Sequence, residues 1–137
     1  MARCPDDEWL RRDRTNACWQ LVYHALFFTH LYLQPHERAF VPWIGQHGGD
    51  DGTEGEPYSK AEVLDYWTFV SAMVDGAVDS LDLDSPESGF WWYPMSKLEH
   101  QIVNIRHVQH HGAQLADRVR AAADVGIRWV SAGRGPE

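Results

Sequence analysis

The chain has 137 residues, 44% of them hydrophobic, with seven tryptophans and a formal charge of −8 at pH 7. That length makes a single domain over residues 1–137, and this apolar content excludes a disordered chain. The acidic balance excludes non-specific nucleic-acid binding, which needs a basic surface against the phosphates, and it favours cations weakly.

Cys4 and Cys18 are the only cysteines. They are too few for a disulfide framework or a thiolate cluster, so a cytoplasmic, reducing location is expected. Asp6, Asp7 and Glu8 interrupt the N-terminus before any apolar stretch, so no signal peptide is read there. The uncharged run from Ala17 to Leu33 is short for a membrane span, and Gln20, His24, Thr29 and His30 suit lipid poorly. No membrane partner is expected.

A short opening helix is predicted over residues 5–13, with Pro5 in the first turn, where a missing N–H costs nothing. A second, from about Thr15 to Leu33, is apolar nearly all round and so is expected to be buried on most sides. Pro35 ends it. Gln34 to Pro57 then shifts to Gly, Pro, Asp and Glu, a long loop whose tail, Gly48 to Gly52, offers no residue for a core. Loops of this length in compact domains are often lids.

Ser59 and Glu62 form a capping box for the third helix, along which Val63, Trp67, Val70, Val74, Val78 and Leu81 recur at helical spacing. Residues 82–86 break it. The aromatic cluster Phe90 to Tyr93 leads to a second capping box, Ser96 and Glu99, and a fourth helix that runs to about Asp124, with Gly126 as its stop. Ile127 to Val130 is an apolar tail able to dock on the bundle. No hairpin signal and no repeat is present.

The chemistry concentrates in histidine. His107 and His111 are four apart on the fourth helix, about 40° from one another around its axis, so both imidazoles can reach one metal ion. His110 lies about 60° to the other side of His107, nearer Arg106, and is the weaker ligand candidate. His100 points as His107 does but about 10.5 Å away along the axis, too far to share its ion. On the second helix His24 and His30 differ by about 120°, and His24 is the more central of the two. With eight histidines, roughly half an i, i+4 pair arises by chance, so spacing alone establishes no site. By themselves His24 reads as a hydrogen-bonded core histidine, His36 and His47 as solvated loop residues, and Cys18 as an inert buried thiol.

The segment Asn104 to His111 with Gln114-Leu115, together with Trp19 to Phe28, resembles the DinB-like (YfiT-like) superfamily of metalloenzymes over about residues 15–130. The resemblance implies an all-α, four-helix bundle with a divalent metal ion, zinc, nickel or iron, held by His24, His107 and His111. Gln114 keeps its place in the motif and would support a ligand or bound water. Two features depart from the family. Gly112-Ala113 replaces a basic residue and glycine, and only about a dozen residues precede the second helix where a long first helix is usual.

Three neutral imidazoles leave a coordination position open, as catalytic sites do. The metal would acidify either a low-molecular-weight thiol, for transfer to an electrophilic small-molecule substrate, or a water, for hydrolysis. No carboxylate general base stands beside the histidines in the sequence. The alternative is a non-catalytic metal-binding or stress-related bundle, to which a plugged site would point. A second apolar stripe on the fourth helix, Leu98, Ile102, Ile105 and Ala116, predicts a homodimer.

Overall fold

In the computed structural model, which describes residues 3–12 and 16–126, secondary structure follows the local signals closely. The helices are α1 (Asp6–Leu10), α2 (Cys18–Tyr32), α3 (Lys60–Ser80) and α4 (Lys97–Ala123), with a 3-10 turn at Glu37–Ala39. Among the described residues there is no strand, and the fold is an all-helical bundle with a short first helix. No helix among them is long and apolar enough to cross a membrane. The expected tail from Ile127 to Val130, and Asp13 to Thr15, lie outside the described residues.

Both capping boxes form. Ser59 accepts from the Glu62 N–H while the Glu62 carboxylate accepts from the Ser59 N–H at 2.8 Å, and Ser96 and Glu99 repeat the exchange at the head of α4. These contacts satisfy amide donors that the first helical turn leaves without partners. At the other end of α4 the stop differs from the expected Gly126. Asp124 takes the left-handed conformation, with φ 50° and ψ 40°, two residues earlier. A short polar side chain tolerates that region better than most, and the Asp124 N–H caps the carbonyl of Arg120.

α2 is the centre of the molecule, packed on α1, α3 and α4. None of its residues is fully exposed, in keeping with its apolar circumference. α3 buries a narrower face than its periodicity suggests: Val63, Tyr66 and Val70 are inside, whereas Trp67 is 49% exposed and Val78 43%. Tyr66 stacks on Trp43 at 4.9 Å and hydrogen-bonds His30, so partners from the loop and from α2 choose the face. The result is a slot between the C-terminal half of α3 and the N-terminal half of α4, floored by Thr29 of α2 and Leu33 at its C-cap. Val74, Val78, Ile102 and Ile105 line this cavity of about 480 Å³.

The long loop is better anchored than its composition suggests. Tyr58, fully buried, stacks on Tyr23 at 4.2 Å and on His47 at 3.8 Å. The His47 N–H donates to its hydroxyl at 2.6 Å, and Trp9 Nε1 donates to its carbonyl at 2.9 Å. Gly52 is buried at φ +70°, and a Cβ there would stand 2.2 Å from the Tyr23 ring. The segment expected to lack core residues therefore packs on α2 because it has no side chain at the point of contact.

Candidate metal centre

His24 lies on α2, and His107 and His111 lie on consecutive turns of α4. The pairing of these two helices brings the three rings together. His107 Nε2 is 3.1 Å from His24 Nε2 and 3.1 Å from His111 Nε2. All three ligand atoms lie within 4.8 Å of one another.

This donor set fits a divalent cation. Tetrahedral zinc with nitrogens at about 2.0–2.1 Å would hold them roughly 3.3 Å apart, close to the spacing found. Hydrogen bonding alone accounts for the cluster poorly. A neutral imidazole nitrogen is either a donor or an acceptor, and His107 Nε2 faces two other ring nitrogens at once. A cation can take three lone pairs together.

Electrostatics keep the lone pairs available. Burial, reinforced by the neighbouring His111 and His24, pushes His107 down to about 4. Burial and His111 also hold His24 below its ordinary value, with Asp51 opposing the shift. Both rings are therefore neutral at pH 7, as a ligand must be. The third ring has its proton placed by Gln114. His111 Nδ1 is 2.9 Å from Gln114 Oε1, and an amide oxygen only accepts, so Nδ1 carries the hydrogen and Nε2 presents its lone pair to the cluster.

The remaining histidines stand apart from the cluster. His110 is exposed, on the solvent side of α4. His100 is fully buried against Tyr32, Phe90 and Tyr93, and burial pushes it down to about 4. His30 is buried on the opposite flank of α2, with Nδ1 3.1 Å from the Tyr66 hydroxyl. His36 is exposed, and His47 is exposed as expected although one face of its ring stacks on Tyr58. Cys18 is buried beside Cys4, whose thiol burial pushes up to about 11, far from a reactive thiolate. At Gly112, where the motif departs from the family pattern, a Cβ would meet nothing within 4 Å.

One site residue had no signal in the sequence. Asp51, from the glycine-rich loop, lines a cavity of about 250 Å³ together with His24, His111, Gln20 and Thr53. Its place depends on the loop's packing against α2, which no local pattern reveals.

Two histidines a turn apart on one long helix meet a third from the helix beside it, a group that could hold a metal ion. The family model of the DinB superfamily matches residues 1–115, a span that holds all three histidines and Gln114, and the chain belongs to that superfamily. Family and cluster together fit a metal-binding protein. No curated protein and no solved structure matches the chain.

Proposed function

We propose that the chain is a metal-dependent enzyme, with His24, His107 and His111 holding one zinc, nickel or iron ion through their Nε2 atoms. The observation that supports this reading is the cavity opening on His24 and His111: among the described residues no side chain fills it, which leaves room for a small molecule beside those two rings, where three ligands would leave a position open. A plugged cluster would have favoured a purely structural site. When bound, the ion supplies Lewis acidity, lowering the pKa of a thiol or water at that position, and the activity is thiol S-transferase-like or hydrolase-like. The protein's part is to keep His24 and His107 neutral, to orient His111 through Gln114, and to shape a polar cavity beside them. The test is metal analysis of the purified protein beside a screen of electrophiles with several cellular thiols. Metal-dependent turnover abolished by a chelator is expected, and a metal-loaded protein without turnover on any thiol or ester would support the non-catalytic alternative.

Gln114 orients His111 in this reading. Gln114→Ala is expected to weaken metal binding by about 10- to 100-fold without unfolding the bundle, because the tautomer of His111 is then no longer selected. An unchanged metal titration would leave Gln114 as a surface residue with a local hydrogen bond.

The apolar slot between α3 and α4 is proposed as the interface of a homodimer. Leu98, Ile102 and Ile105 are 51%, 50% and 59% exposed along it. Charge favours a second copy as the occupant: exposed Asp75 and Asp79 border the α3 wall, while exposed Arg106 borders the α4 wall. A two-fold pair laying α4 of one copy on α3 of the other buries both stripes and brings these charges together. Light scattering should give twice the single-chain mass of 15.7 kDa, falling to one in Ile102→Glu/Ile105→Glu. A monomer at micromolar concentration would overturn the pairing.

A further inference from the structure

The cavity over the histidines has a polar wall built by the glycine-rich loop, and its construction is specific. Gln20 Nε2 donates to the Thr53 carbonyl at 3.0 Å, tying the loop to α2. Gln46 Nε2 donates to the carbonyl of Asp50 at 3.0 Å, and Gly52 lets the chain pass against Tyr23. Within that frame the Thr53 N–H and hydroxyl donate to Asp51 Oδ1 at 3.0 and 2.6 Å. One carboxylate oxygen is thus held by the loop itself. Among the described residues, no hydrogen bond or ion pair reaches the other oxygen, and no lysine or arginine lines the cavity.

We propose that this cavity binds a small molecule by a protonated amine seated on Asp51, its other end reaching the histidine cluster. An ionised carboxylate only accepts hydrogen bonds, so the free Asp51 oxygen selects a donor, and a charged donor most strongly. At about 250 Å³ the cavity is smaller than the usual range for drug-sized ligands, so the ligand is compact. Asp51 is not among the residues whose ligand atoms converge, and its carboxylate is assigned to the ligand. The inference rests on the metal reading above for the ligand's second end only.

The variant Asp51→Asn keeps an oxygen for Thr53, and so the turn, while replacing the free acceptor with an amide. Two measurements test the proposal. On zinc-loaded protein, calorimetry should show cysteamine binding roughly ten- to a hundred-fold more tightly than 2-mercaptoethanol, a difference expected of a charge-assisted hydrogen bond. Asp51→Asn should bring the two probes near parity with zinc content unchanged. On metal-free protein, ethanolamine should shift the backbone amide resonances of Gln20, Asp51 and Thr53, and Asp51→Asn should abolish those shifts.

Equal affinity for the two thiols in the parent, a preference surviving in Asp51→Asn, or loss of zinc with that variant would overturn the role of Asp51 in ligand choice. So would the absence of ethanolamine shifts, whatever the metal result. Ethanolamine shifts in a protein that takes up no zinc would instead support the amine site and overturn the metal reading alone.

Discussion

His107→Ala should lose its metal by more than about 100-fold in affinity, because even removing a partner that merely orients a ligand costs roughly 10- to 100-fold. His107 is the hinge of the cluster. Its Nε2 is the atom 3.1 Å from each of the other two ring nitrogens, so its loss leaves His24 and His111 without the ligand between them. His111→Ala should have an effect of the same order, whereas His110→Ala, on the exposed side of α4, should bind metal as the parent does. Elemental analysis after dialysis reads all three. Full occupancy in His107→Ala, or metal lost with His110→Ala alone, would overturn the ligand assignment.

The second large effect is expected far from any ligand. Tyr58→Ala should destabilise the fold by about 3–5 kcal/mol, the cost of truncating a buried aromatic side chain. The ring is fully buried between Tyr23 and His47, and its loss removes both stacks and the contacts of its hydroxyl with the His47 backbone. Tyr58→Phe keeps the stacks and gives up the hydroxyl, so about 1 kcal/mol is expected there. Urea denaturation of the metal-free proteins separates the two. A loss below about 1 kcal/mol in Tyr58→Ala would mean that the ring does not anchor the loop, and the position of Asp51 would need another cause.

These two effects divide what was legible from what was not. Residues 104–111 place His107 and His111 on one face because helical geometry is local, and the same locality made Ser59 with Glu62 and Ser96 with Glu99 readable as helix starts. Gln114, three residues beyond His111 on the same helix, meets His111 itself. The stop of α4 was misplaced because glycine is only the commonest left-handed residue, and Asp124 accepts that conformation too. On α3, spacing put Trp67 in the apolar stripe and passed over Tyr66, yet Tyr66 is the buried one. Trp43 and His30, distant in the chain, selected Tyr66.

The sequence by itself determined where α3 and α4 start, which histidines share a face of α4, and that a stripe of Leu98, Ile102, Ile105 and Ala116 lies apart from them, of which the first three are exposed. All of these follow from interactions within a few residues along the chain. Only the tertiary structure decided that His24 meets His107 from 83 residues away. It alone decided that a glycine-rich loop packs tightly enough on Tyr23 to carry Asp51 to the same cavity. The physical reason is that such contacts depend on how whole helices and loops fit against each other, with burial of Tyr23, Tyr58 and Tyr66 offsetting the entropy of ordering the loop.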